Sequence, residues 1–321
     1  MKTKLKQLEL PNLTPIIVLA VLSLALTFLS PVFLTVQNLT NILQQVSVNA
    51  IIALGISIVI FTGGIDLSVG SILAASGVIM GQMMLAGIHP AIAVAASVLI
   101  GAVGGALNGV LISVFKLQPM IATLGTMSIG RGVALVVTDG RTVTGYSAGF
   151  RWIGTGSIPG TNIPVQIALM LLLYTVMFYV MKYRKTGRYI YSIGGNEEAT
   201  RLSGINVMKY KTIAYIISGA MAAIAGIVLV ARLNSAQAIA GEGFELDAIA
   251  SAVIGGASLR GGHGSVWGTI LGAIIIGVIR NGLNLLNVSS HLQRLILGFI
   301  IIAAVLLDSF RNNRTKKMIV D

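Results

Sequence analysis

VSVNAIIALGISIVIFTGGIDLSVGSILAASGVIMGQMMLAG, residues 46–87, contains a single charged side chain, Asp66. Two apolar runs, 46–62 and 69–87, flank the glycine-rich turn GGIDLSVGS (63–71). A hydrocarbon core of roughly 30 Å is crossed by about 20 apolar residues in a helix. The second run meets that length and the first falls short of it. Irregular backbone at membrane depth is tolerated only where protein or water satisfies its polar groups. Interrupted apolar segments of this kind are the sequence pointer to a transport pathway.

The same composition extends along the chain. Of 321 residues, 55% are apolar and 10% are charged, against roughly 25% charged in a soluble domain. The fold class is therefore all-α, a polytopic membrane protein with about ten transmembrane helices. The expected crossings are 13–33, 46–62, 69–87, 90–115, 119–137, 164–181, 212–231, 246–259, 266–287 and 291–308. The first is read as a retained helix, because Leu13–Leu29 lacks a small-residue cleavage site and many spans follow. Residues 1–12 form an N-terminal tail, 13–308 the transmembrane domain, and 309–321 a C-terminal tail.

Charge sets the orientation. With the N-terminus inside, 16 of the 22 Lys and Arg residues fall on cytoplasmic segments, 2 (Arg141 and Arg151) on outside loops, and 4 within or at the ends of spans. Positive charge collects on the cytoplasmic side, so both termini are expected there. The net charge of +12 then reports membrane orientation and not nucleic acid. No cysteine and only 3 histidines leave no thiol chemistry and disfavour a metal site.

A second interrupted segment occurs near the C-terminus, where 246–259 runs into GGASLRGGHGS (255–265). At about 1.5 Å per residue this run covers only about 20 Å. The two glycine-rich stretches form a weak internal repeat, both placed on the cytoplasmic side. Gly101, Gly105 and Gly109, at four-residue spacing, make a smooth stripe for close approach of another helix. Residues 138–163 form an external loop rich in Gly, Thr and Ser.

The basic segment KYRKTGRYIYSIGGNEEATRLSGINVMKYK (182–211) is cytoplasmic by charge. Asn196 fits an N-cap, Glu197 and Glu198 a first helical turn, and Gly204 a left-handed C-terminal stop. A helix of about two turns is unstable alone in water. It is held by the rest of the chain or by a partner, or it is an ordinary positive-inside loop.

This loop, together with NLTNILQQVSVNAI (38–51), GGIDLSVGS (63–71), SAQAIAGEGFELDAIASAVIGGASLRGGHGS (235–265) and NGLNLLNVSS (281–290), resembles the permease subunits of sugar ABC importers of the ribose, xylose and arabinose class. The ribose members are nearest. The resemblance runs from about residue 31 to residue 308. It implies a homodimer in the bacterial inner membrane, a cytoplasmic ATPase subunit holding ATP and Mg, and a periplasmic or lipid-anchored sugar-binding protein. Residues 182–211 become the coupling loop, with Gly195, Asn196, Glu197, Glu198, Ala199, Arg201, Leu202 and Gly204 as its contacts to the ATPase.

Energy conversion is not expected within this chain. No lysine follows a glycine anywhere, so the phosphate-cradling GxxxxGK[ST] loop is missing. No cofactor and no catalytic residue is expected. Asp66, Ser68, Asn108, Gly255 and Gly256 are candidates for a pathway or gate; Asp66 is read first as a cap for the third span, a role that can coexist with the gate. Arg131, Arg232, Arg280 and Arg294 fall toward the outer half. They either pair locally and snorkel or dock acidic groups of the binding protein. The rival function is a secondary carrier for a small polar solute, which Asp66 and Asp247 furnish poorly with proton-relay acids.

Overall fold

The computed structural model describes residues 14–320. In chain order its helices are α1 (Thr14–Leu29), α2 (Val36–Phe61), α3 (Val69–Leu85), α4 (Pro90–Ser113), α5 (Pro119–Thr138), α6 (Ala148–Thr155), α7 (Val165–Tyr183), α8 (Lys185–Gly195), α9 (Glu197–Leu202), α10 (Val207–Leu233), α11 (Phe244–Ile254), α12 (Val266–Leu285) and α13 (Ser290–Val320). Two-residue strands β1 (Val143–Thr144) and β2 (Ser235–Ala236) pair antiparallel, Val143 opposite Ala236. The protein is all-α and polytopic. Among the described residues six helices, α2, α4, α5, α7, α10 and α12, are long and apolar enough to cross a membrane. The α1 and α3 helices have 16 and 17 residues. α11 has 11, about 16 Å at 1.5 Å per residue.

Several boundaries differ from the sequence reading. The second segment is not short. α2 starts at Val36, where the Thr35 hydroxyl accepts from Asn38 N–H at 3.3 Å. Its polar first turns are satisfied: the Asn38 and Asn281 side-chain amides exchange hydrogen bonds of 3.1 and 2.8 Å between α2 and α12. Segment 138–163, expected as a loop, is not wholly irregular, since α6 lies in it, capped by Ser147. Residues 1–12 of the expected tail lie outside the described residues, and α13 runs unbroken past residue 308 to Val320.

The core is built around α10 and α2. Along α10 many of the buried positions are small, among them Ala214, Ser218, Gly219, Ala222 and Ala223, and α4 lies against this helix through its glycine stripe. A methyl group on Gly101 would sit 2.4 Å from Gly219 O, one on Gly105 2.1 Å from Tyr215 O, and one on Gly109 2.7 Å from Thr212 Cα. Backbone thus touches backbone, the packing mode that small residues permit in membranes. The lower half of α2, Ala50 to Phe61, is fully buried.

Candidate functional site

A chain of buried polar groups links four elements at the end of α2. Asp66 is fully buried, in the turn between α2 and α3. Its Oδ1 accepts from Ser68 N–H at 3.1 Å and from the Ser68 hydroxyl at 2.6 Å. Its Oδ2 accepts from the Ser218 hydroxyl of α10 at 2.7 Å. The Ser68 oxygen in turn accepts from Asn108 Nδ2 of α4 at 2.8 Å, and Asn108 Oδ1 accepts from the Thr126 hydroxyl of α5 at 2.6 Å. Every donated proton in this chain points toward the carboxylate. Such aligned bonds polarise one another. A buried carboxylate without a cation needs this saturation, because burial without hydrogen bonds costs several kcal/mol. Tyr215 precedes Ser218 by three positions and so shares its helix face. Its hydroxyl donates to Ile65 O at 3.2 Å, so α10 grips the turn at two points.

Three glycine-bearing segments meet beside this turn. Gly262 N–H donates to Phe61 O at 3.0 Å. A methyl group on Gly194 would lie 2.0 Å from Phe61 O and 2.3 Å from Gly262 N, and one on Gly261 would lie 2.6 Å from Gly63 N. Gly63, Gly261 and Gly262 have φ of +79°, +85° and +75°, backbone that glycine adopts without a steric penalty. The two glycine-rich stretches of the sequence therefore touch each other, and the end of α8 is seated on both. Tyr191 of α8 completes the joint. Its ring stacks on Phe61 with centroids 5.0 Å apart, and its hydroxyl donates to Gly264 O at 3.1 Å.

α8 packs through Gly187, Ile190 and Ile193, a stripe at three-residue spacing. α9 follows it directly and stands away from the bundle, with Thr200 its one buried residue. Asn196 caps it by accepting from Ala199 N–H at 2.9 Å. Glu197 and Glu198 occupy its first turn, where the helix dipole favours negative charge. Glu197 pairs with Lys211 of α10, and Glu198 with Arg201. Hydrogen bonding from Arg201 lowers the Glu198 carboxyl below its ordinary range. Gly204 closes the segment at φ +81°. Leu202 remains 77% exposed, an apolar side chain offered outward from a basic surface.

The remaining candidates separate. Gly255 and Gly256 do not join the Asp66 chain. Gly255 packs on α12, where a methyl group would meet Gly268 O at 2.3 Å. Arg131 donates to the carbonyls of Ala238 and Ala240. Arg232 donates to Gln44 O at 2.9 Å, and Arg280 pairs with Asp247. Arg294 is exposed. Ser218, Thr126, Phe61 and Tyr191 belong to the site without having been singled out by sequence. Ser218 is an isolated small polar residue in an apolar run, and Thr126 stands between Thr123 and Ser128 with nothing to single it out; the Tyr215–Ser218 spacing is the one local signal.

An apolar helix bundle around a buried polar chain, with a capped helix projecting from one end, is an architecture that fits a membrane permease subunit. Residues 38–305 match the family described as the branched-chain amino acid transport system permease component, and the chain belongs to that family. It is 48% identical over 298 residues to the ribose import permease protein RbsC of Escherichia coli K12, covering 92% of each chain. It is 44% identical over 299 residues to RbsC of Bacillus subtilis 168, again covering 92% of each. The L-arabinose transport system permease protein AraH of E. coli K12 is 35% identical over 297 residues, covering 92% of this chain and 90% of its own. No solved structure matches. The protein is a multi-pass inner-membrane permease.

Proposed function

We propose that this chain is the membrane-spanning subunit of a binding-protein-dependent ABC importer that moves a ribose-type monosaccharide inward. Its relatives are named for ribose, allose and arabinose, at 48% and 44% identity to the two ribose proteins, 43% to the allose protein and 35% to the arabinose protein. Two copies of the chain form the pathway. A cytoplasmic ATPase subunit holds ATP and Mg, and an external sugar-binding protein delivers the substrate. Ten crossings, with both termini cytoplasmic, accommodate the 16-to-2 charge asymmetry. The transmembrane domain spans 13–308, flanked by cytoplasmic tails.

The observation that carries this reading is the continuity from α9 to Asp66. α9 is short, capped and exposed, so docking into a partner is what orders it. Its exposed Glu198, Ala199, Arg201 and Leu202 meet the ATPase. α8 links it rigidly to Phe61 and to both glycine turns. Closure of the ATPase pair displaces α9, and α8 carries that displacement to the turn holding Asp66. The Asp66–Ser68–Asn108 chain has two arrangements, one for each face of alternating access. Gly255 and Gly256 allow α11 to shift against α12. On the outer side, Arg294 is the arginine best placed to meet acidic groups of the binding protein, since Arg131, Arg232 and Arg280 have partners within the chain.

Competition decides the substrate. The assembled transporter accumulates labelled ribose, and excess unlabelled ribose suppresses it more strongly than arabinose or allose does. Stronger suppression by arabinose would reassign the sugar.

A further inference from the structure

Between α2, α10, α11 and α12 lies a cavity of about 170 Å³. That is several times the roughly 30 Å³ share of one water and below the roughly 300 Å³ of pockets for drug-sized ligands. Its scale is that of a single sugar ring. Its walls combine Asn49, Gln45, Arg232, Asp247 and Arg280 with the ring of Phe244 and aliphatic side chains. Asn49 Oδ1 is buried and has no hydrogen-bond partner among the described residues. A buried polar atom left unpaired is costly, and a ligand hydroxyl would relieve it.

We propose that this cavity is a transient subsite for a neutral monosaccharide on its way through the permease, an assignment that rests on the importer reading above. Sugar hydroxyls both donate and accept. Asn49 Oδ1 and the Asp247 carboxylate accept. Each guanidinium carries five N–H donors; Arg232 uses one on Gln44 O and Arg280 one on Asp247, so both retain donors. The Asp247–Arg280 pair neutralises itself, and Arg232, held on Gln44 O, leaves one positive charge on the wall; the choice of an uncharged ligand follows from the importer reading. Phe244 supplies an apolar face for the C–H side of a pyranose. Asn49 lies about halfway along α2, on the outer side of the Asp66 turn, so the subsite precedes the inner gate.

Two variants test this on the complete transporter in nanodiscs. Asn49→Leu removes the acceptor at similar volume. Gln45→Trp adds bulk at the lip, where Gln45 is exposed and the core is not disturbed. Saturation-transfer NMR with ribose, without the binding protein, reports the subsite directly, and ribose moved per ATP hydrolysed reports its role. The expected result is loss of the transfer signal in both variants, with ribose per ATP falling about tenfold in Asn49→Leu, as losing a hydrogen bond to a buried group implies, and falling also in Gln45→Trp, which blocks the lip. Wild-type signal and wild-type ribose per ATP in Gln45→Trp would overturn the proposal. So would a transfer signal displaced by ribose 5-phosphate at concentrations where free ribose fails. A wild-type complex whose ATP hydrolysis ignores the binding protein would instead overturn the importer reading, with the transfer signal still deciding the cavity.

Discussion

The ring of Tyr191 stacks on the ring of Phe61, centroids 5.0 Å apart and planes 27° from parallel. This contact joins α8 to the last residue of α2, five positions before Asp66. The loop helices therefore touch α2 beside the turn that holds the buried polar chain. Replacing Tyr191 by Phe keeps the stack and deletes the bond to Gly264 O, a loss of about 1 kcal/mol. Uptake should fall a few-fold at most. Tyr191→Ala deletes both contacts and should uncouple ATP hydrolysis from uptake. Equal uptake by the two variants would show that the stack transmits nothing.

Gly194 offers a sharper version of the same test. Any side chain there meets Phe61 O and Gly262 N, and overpacking of this kind costs roughly 1–3 kcal/mol. Gly194→Val should insert into the membrane and bind its ATPase through α9. Binding-protein stimulation of ATP hydrolysis should be lost. Stimulation at the wild-type level would place the joint elsewhere.

Asp66→Asn retains an acceptor for Ser68 and leaves an amide able to donate to Ser218, so most of the fold should survive. Asp66→Leu strands two buried hydroxyls and the Ser68 N–H, at about 1–3 kcal/mol for each group left unsatisfied. The Leu variant should melt at a lower temperature than the Asn variant and should not transport. Thermal unfolding in detergent checks the first expectation and uptake at equal membrane levels the second. Coincident melting curves would remove the carboxylate from the structural account.

Gly204→Val forces a β-branched residue into φ +81°, where such residues are strained. Arg201→Glu breaks the pair with Glu198 and sets like charges side by side. Both variants should reach the membrane, and both should reduce co-purification with the ATPase. Undiminished co-purification in both would return 182–211 to an ordinary positive-inside loop and move the search for the coupling site to Lys116 or Arg260.

What sequence could reveal here follows from which interactions are local. The apolar segments, the stripe at Gly101, Gly105 and Gly109, and the caps at Asn196 and Gly204 are each written within a few turns of chain. α8 was not legible because Gly187, Gly194 and Gly195 argue against a helix; tertiary seating on Phe61 and Gly262 overrides that propensity. Ser218 stands 152 positions from Asp66 and carries no local mark of the pairing. The contact between the two glycine stretches has the same character. Their similarity was visible, whereas their adjacency depends on how α2, α11 and α12 pack. Likewise Phe244, Asn49 and Arg232 come from three helices, so no sugar-sized polar cluster shows along the chain.

The central claim is that energy enters from a partner subunit through α9 and not from an ion gradient. The direct measurement is accumulation of labelled ribose in proteoliposomes holding this chain alone, or this chain with its ATPase and binding protein. Uphill accumulation is expected with both partners and ATP inside the cytoplasmic compartment, and none when any of the three is omitted. Uphill accumulation by the chain alone, driven by an imposed proton gradient, would contradict it.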